Sequence, residues 1–136
     1  MLPSSIVWQL SDRAKNVIRQ NMKSYDIELA LINLPKKELQ EISKVLPAGY
    51  LVEDRSNKGW GIVIRLDSEN ELESLNDQVK AFITGVLPIK KWMELSSPVL
   101  RVACFNDKLT CTINLEDFEL FVSLKIKLEI SIYPVT

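Results

Sequence analysis

Residues 25–34 read YDIELALINL, and this short run sets the class of fold. Apolar side chains occupy both sets of alternate positions, with Ile27 and Leu29 on one and Ala30 and Ile32 on the other. A half-exposed strand alternates polar with apolar residues, whereas a strand covered on both sides is apolar on both. The run therefore predicts a central strand of a sheet.

A helix and a hairpin are predicted after this strand. Pro35 and an apolar stripe from Leu39 to Leu46 predict a helix. A polar loop at 53–58 separates two apolar runs, which predicts a hairpin of strands 50–52 and 59–66.

The clearest helix signal lies in residues 68–86. Ser68-Glu69-Asn70-Glu71 matches the reciprocal capping box, and apolar residues follow at helical spacing from Leu72 to Val86. Gly85 is expected to end this helix in a left-handed conformation. A further short helical piece, 89–95, carries Trp92.

The last third predicts two more strands paired as a hairpin, at 99–105 and 109–113, because turn residues lie between two alternating runs. Asn114 is a good cap for a helix through Leu124, and residues 125–133 alternate polar with apolar.

Together these elements predict an α+β fold, a two-layer sandwich with a mainly antiparallel sheet and helices packed on one face. A length of 136 residues suits one domain, residues 1–136. Within it we expect an α+β core at 25–136, preceded by an N-terminal strand and helix extension at 1–24.

Charge and composition exclude several kinds of partner. The chain has 17 Lys and Arg against 18 Asp and Glu, a net charge of -1, so neither nucleic acid nor an anionic membrane is expected as a partner. No export signal or membrane-length apolar run is present, which favours the cytosol. Cys104 and Cys111 would face each other across the predicted hairpin, but a cytosolic protein is expected to keep them as free thiols.

The residue types that usually carry catalysis are missing. Histidine is absent, which removes the commonest general base and metal ligand. The two cysteines lack the spacing of a zinc site, and no glycine-rich phosphate loop occurs. We expect no metal, no cofactor and no enzymatic activity, and we keep a carboxylate-dependent enzyme as an alternative.

Five acids at and after a helix start are the candidate binding residues, and they are Asp67, Glu69, Glu71, Glu73 and Asp77. They complement the helix dipole in a purely structural interpretation. In a functional one they imitate nucleic-acid charge and meet a basic protein surface. Of the tryptophans, Trp60 is expected in the core, whereas Trp92 follows Lys90-Lys91 and is the better candidate for contact.

Three segments carry a resemblance. They are Gly59-Trp60-Gly61 at a strand entry, the helix from Leu72 to Val86 with Pro88 behind it, and the run from Ile113 to Leu120 that leads into residues 128–133. In these the sequence resembles a group of small bacterial α+β proteins that includes immunity proteins of polymorphic toxins and of contact-dependent growth inhibition systems.

That resemblance implies a function. A member of this group would bind the cognate C-terminal toxin domain of a secreted effector in the cytosol and block its active site. Toxins of this kind are often nucleases with basic clefts, which an acidic patch would suit. The alternative is a small-ligand or regulatory binding module with a pocket between sheet and helices. The oligomeric state stays open.

Overall fold

A computed structural model describes residues 25–66, 74–106, 111–114 and 119–134. The predicted extension at 1–24 lies outside them, as does the proposed capping box. The described strands are β1 Tyr25–Ile32, β2 Tyr50–Asp54, β3 Ile62–Leu66, β4 Ser97–Asn106 and β5 Lys127–Pro134. The described α-helices are α1 Leu39–Val45, α2 Leu75–Val86, α3 Lys90–Leu95 and α4 Glu119–Leu124.

The five strands form one sheet in the order β2-β3-β1-β4-β5. The pairs β2–β3, β1–β3 and β1–β4 are antiparallel, and β4–β5 is parallel. The predicted α+β fold with a mostly antiparallel sheet is therefore confirmed. β1 is the middle strand, as its two-sided apolar pattern predicted.

The core lies between one side of the sheet and the described helices. We call that side the core face; it carries Ile27, Leu29 and Leu31 from β1, all at most 1% exposed. These residues belong to one hydrophobic cluster with the buried residues of the helices, which include Ile42, Phe82, Val86, Met93 and Phe121. Burial of such side chains stabilises the fold by roughly 1.5–3 kcal/mol each.

The second predicted hairpin is wrong. β4 is paired on both sides, with β1 on one and β5 on the other, so it has no free edge for residues 109–113. Residues 111–114 are not in a strand. The alternating pattern has a different origin: Cys111 and Ile113 are partly buried against the core cluster.

The two cysteines also differ from expectation. Cys104 and Cys111 form a disulfide with their Cα atoms 6.5 Å apart, instead of remaining free thiols. Cys104 is fully buried in the core cluster. The bond ties the segment after β4 to the strand, although the two are not paired as a hairpin.

Helix α2 ends at Val86 as predicted, but its start and the role of Gly85 differ from the prediction. It begins at Leu75, where the Ser74 hydroxyl accepts a hydrogen bond from the Asp77 amide at 3.2 Å. Gly85 lies inside the helix and does not end it. A side chain there would collide with the Tyr50 hydroxyl, which donates to the Phe82 carbonyl at 3.0 Å. Gly85 is therefore needed for close packing of β2 against α2.

Candidate functional site

The side of the sheet opposite the core face carries an organised set of charges, and we call it the polar face. One row of paired residues crosses all five strands: Leu51, Arg65, Glu28, Arg101 and Glu129. Side chains of directly paired residues lie close enough to interact. The strand register therefore brings opposite charges together across the middle of the sheet.

Glu28 is the centre of this charge network. Its Oε1 accepts a hydrogen bond from Arg101 Nη1 at 2.8 Å, and its Oε2 accepts one from Arg55 Nη1 at 3.3 Å. The Glu28 side chain is only 12% exposed, and both arginines remain about one quarter exposed. A carboxylate this deeply placed needs such partners, because an unpaired buried charge is costly.

The network continues outward from both arginines. Glu53 is 2.8 Å from Arg55 Nη2 and 3.3 Å from Arg65 Nη2, and Glu129 is 3.5 Å from Arg101 Nε. Three acids and three arginines thus alternate, and their formal charges cancel. We call this set the Glu28 ladder; its members are Glu28, Glu53, Arg55, Arg65, Arg101 and Glu129.

Trp60 belongs to the loop between β2 and β3, and this loop places its ring against Arg101 of the ladder. The Arg101 guanidinium is 3.9 Å from the centroid of the Trp60 ring, which is a cation–π contact. The Arg55 amide donates to the Gly61 carbonyl at 2.7 Å, and the Trp60 amide donates to the Arg55 carbonyl at 3.1 Å. Gly61 has φ +69, and a Cβ there would collide with the Leu31 carbonyl. Only glycine fits this crossing of the loop over β1.

The predicted locations of the two tryptophans are therefore wrong. Trp60 was expected in the core but is half-buried on the polar face, outside β3. Trp92 was expected to be available for contact but is 5% exposed within the core cluster. Its Nε1 donates to Glu38 Oε2 at 3.1 Å, and Lys91 Nζ lies 4.2 Å from its ring centroid. The Trp92 indole is thus an anchor within the molecule.

Of the five predicted acidic residues, only Asp77 belongs to the described part of the chain. It is exposed in the first turn of α2, where a negative charge complements the helix dipole. The other four, Asp67, Glu69, Glu71 and Glu73, lie outside the described residues. Their role as a binding patch stays a prediction.

One cavity opens on the polar face beside the Glu28 ladder. It has a volume of about 190 Å³ and is lined by Asp26, Glu28, Arg101, Val102, Ala103, Phe105, Ser131 and Tyr133. We call it the Asp26 groove. The Phe105 and Tyr133 rings stack at its side, with centroids 5.4 Å apart and planes at 22°.

A larger cavity, of about 510 Å³, lies where α3 and α4 meet the beginnings of β4 and β5. Its lining combines the apolar residues Met93, Pro98, Val99 and Leu124 with polar or charged ones that include Glu94, Ser97, Ser123, Lys125 and Lys127. Such a space can admit water and a polar solute.

One carboxyl group near the site has a perturbed pKa. The Ser56 hydroxyl donates to Asp54 Oδ1 at 2.6 Å and the Ser56 amide donates to the same atom at 3.0 Å. These hydrogen bonds, with a smaller contribution from Lys36, hold the pKa of Asp54 below its ordinary value. The arrangement caps the turn that leads to Trp60, so its role is to hold the loop.

The residues of the Glu28 ladder were not predicted as a site. A signal was present, since Glu28 and Arg101 are each a charge inside an otherwise apolar run. Two such charges of opposite sign on neighbouring strands indicate a cross-strand pair once the register is known. The register depends on tertiary pairing, which the spacing of residues in one strand does not reveal.

Some kinds of site are not found in the described part of the chain. Among residues 25–66, 74–106, 111–114 and 119–134, no three Cys, Asp or Glu residues gather as metal ligands would. None of the helices described is long and apolar enough to cross a bilayer. The chain matches no protein-family model, no curated protein and no solved structure.

Proposed function

We propose that this protein is an immunity protein that acts in the cytosol without catalysing a reaction. It would bind a cognate toxin domain, a nuclease in this proposal, and block the toxin's active site. The polar face would be its binding surface. The observation that carries the proposal is the Glu28 ladder with Trp60 lying on it.

The composition of the polar face supports binding of a protein. Tryptophan, tyrosine and arginine are the residue types that dominate the energy of protein interfaces, and Trp60, Tyr133 and Arg101 lie on this face. Interlocked ion pairs hold the arginines in place before a partner arrives. Such preorganisation lowers the entropic cost of association.

The ladder also explains why we propose binding instead of catalysis. A general acid or base must present its carboxyl group to a substrate. Glu28 and Glu53 instead accept hydrogen bonds from arginines of the same chain. Alternating charges of this kind give a surface with a specific electrostatic pattern, which selects among partners.

The test uses the toxin domain encoded next to this chain in its native genome. We expect a tight one-to-one complex and protection of cells that express the toxin domain. Trp60→Ala should weaken the complex about 30-fold, the size of a hot-spot loss. Val122→Ala is the control, because Val122 is 80% exposed on α4, a helix that packs on the core face and not on the polar face.

The outcomes separate the parts of the proposal. If no toxin domain binds and no cells are protected, the immunity function is wrong. If the complex forms but Trp60→Ala and Val122→Ala behave alike, the polar face is not the binding surface. Circular dichroism of each variant establishes that a loss of binding is not a loss of folding.

The larger cavity favours a second candidate, a small-ligand or regulatory binding module. Its 510 Å³ falls within the roughly 300–1,000 Å³ of known ligand pockets. A ligand that binds only the folded state raises the melting temperature. A thermal-shift screen of metabolites that finds a stabilising compound, sensitive to Lys127→Ala, would favour this candidate.

A further inference from the structure

The Asp26 groove is formed by a change in side-chain size across three successive rows of the polar face. Asp26, Ala103 and Ser131 are paired across β1, β4 and β5 and form the middle row. Two of these three side chains are small, so the row leaves an open floor. The groove is therefore a product of strand register.

Large side chains stand on either side of this floor. The charged row of Glu28, Arg101 and Glu129 lies on one side. The stacked rings of Phe105 and Tyr133 lie on the other, and Tyr133 is 51% exposed. A group that enters the groove would have an aromatic wall on one side and charged side chains on the other.

The charges that line the groove do not cancel. The Arg101 guanidinium is shared by Glu28 and Glu129. In the described part of the chain, no residue donates a hydrogen bond to the Asp26 carboxylate or forms an ion pair with it. The groove thus presents a carboxylate that has no partner among the described residues, together with a half-exposed aromatic ring, and both groups attract a cation.

The geometry points to an arginine side chain of the protein partner as the occupant of the Asp26 groove. This inference rests on the proposed function and adds to it a feature of the partner. A guanidinium is planar and charged, so it can donate two hydrogen bonds to Asp26 while its flat surface contacts the aromatic side chains that line the same groove. A lysine ammonium lacks the flat surface and is more strongly hydrated. A toxin domain with a basic active-site cleft has such arginines to offer.

The volume is consistent with this occupant. About 190 Å³ exceeds the roughly 30 Å³ that one water molecule takes in the liquid, so several waters would leave when a side chain enters. The floor of Ala103 and Ser131 has no large side chain that would have to move first. The site can therefore accept a guanidinium without rearrangement of the sheet.

The test uses N-acetyl-L-arginine methylamide as the probe and N-acetyl-L-citrulline methylamide as its neutral control of nearly the same shape. The whole chain, labelled with ¹⁵N, is titrated with each compound and followed by NMR. We expect the amide signals of Asp26, Ala103 and Ser131 to shift with the arginine compound. The citrulline compound should bind about tenfold more weakly, because it cannot make charge-assisted hydrogen bonds.

Variants then test the two walls separately. Asp26→Asn should weaken binding of the arginine compound about fivefold, and Tyr133→Leu about threefold. Asp77→Asn is the matched control, since Asp77 is an exposed acid on α2 and does not line the groove. It should leave the titration unchanged.

The inference is overturned if both compounds shift the same signals equally, or if Asp26→Asn and Asp77→Asn give the same affinity as the unchanged chain. These results do not depend on the toxin. If the arginine compound binds as expected but no toxin domain is found, the proposed immunity function is wrong, whereas the inference of an arginine site in the groove is supported. If a toxin domain binds but none of its arginine substitutions couples to Asp26→Asn in a double-mutant cycle, the groove is not occupied in the complex.

Discussion

The same strands form both faces of the sheet, but β1 presents buried apolar side chains on one face and charged side chains on the other. On the core face of β1, Ile27, Leu29 and Leu31 are almost fully buried. On the polar face the same strand carries Asp26 and Glu28, and the latter holds two arginines. Successive side chains of a strand point to opposite faces, so one eight-residue segment contributes to both.

The two tryptophans show what this difference means. Trp92 is enclosed by the core cluster and uses its indole nitrogen to bind Glu38. Trp60 lies over Arg101 on the polar face and remains half-buried. We therefore expect changes on the core face to act on stability, and changes on the polar face to act mainly on binding.

The largest expected effect is a loss of stability from the core face. Phe82→Ala removes a fully buried ring that packs edge-to-face against Tyr50 at 5.6 Å. We expect the free energy of unfolding to fall by about 4 kcal/mol, from lost burial and from the cavity that remains. Urea unfolding followed by circular dichroism measures it.

Trp60→Ala is the matched change on the polar face. It removes a larger ring, but we expect a loss of only about 1 kcal/mol, because this ring is half-buried and lies against Arg101, which is itself partly exposed. Equal losses in the two variants would contradict the division between the faces.

The second largest effect concerns the disulfide between Cys104 and Cys111. Cys111→Ser should lower the free energy of unfolding by about 2.5 kcal/mol, since the short loop from Cys104 is no longer closed. The fold should nevertheless persist, because Cys104 still fills its place in the core as a small apolar side chain.

Reduction of the unchanged chain with dithiothreitol should give the same loss as Cys111→Ser. This comparison also bears on the proposed cytosolic site of action, where thiols are kept reduced. If the reduced chain unfolds at room temperature, action in the cytosol becomes untenable.

The core face was far more predictable than the polar face. The apolar run of β1 and the stripe of α2 follow from periodicity within one segment, and the hairpin of β2 and β3 follows from a polar loop between two neighbouring runs. The structure has all three. Periodicity is a local property, so a single sequence suffices to see it.

The polar face depends on pairing between distant segments. Glu28 meets Arg101 only because β1 and β4 pair in one register, and Trp60 reaches Arg101 only because Gly61 lets the loop cross β1. The failed hairpin at 109–113 has the same cause: an alternating run does not reveal whether the neighbouring edge is already occupied by β5.

A smaller effect should come from the centre of the ladder. Glu28→Gln leaves Arg55 and Arg101 without their shared carboxylate, and we expect a loss of about 2 kcal/mol. The value is below that for a fully buried pair, because both guanidiniums reach water.

Glu129→Gln is the control for this prediction. Glu129 is more exposed and lies 3.5 Å from Arg101 Nε, so its loss should cost less than about 0.5 kcal/mol. Unfolding in urea at low and high salt measures both variants. A Glu28→Gln protein as stable as the Glu129→Gln protein would show that the ladder contributes nothing to folding.

Apart from the control variants, the smallest expected effect belongs to Tyr50, whose hydroxyl joins β2 to α2 from the core face. Tyr50→Phe removes the hydrogen bond to the Phe82 carbonyl and should cost about 1 kcal/mol at neutral pH. Burial raises the pKa of Tyr50 above its ordinary value, because the phenolate is poorly solvated there.

The raised pKa of Tyr50 predicts the direction in which the free energy of unfolding changes at alkaline pH. Below about pH 10 the hydroxyl is protonated in both states, so its full contribution to stability is present. As the pH rises through the ordinary pKa towards the raised one, the unfolded chain loses this proton first, and the free energy of unfolding falls. Tyr50→Phe cannot ionise at this position and shares every other titrating group with the unchanged chain. Above about pH 10 its stability should therefore fall less steeply, and parallel curves for the two proteins would place the Tyr50 hydroxyl in water instead of against Gly85.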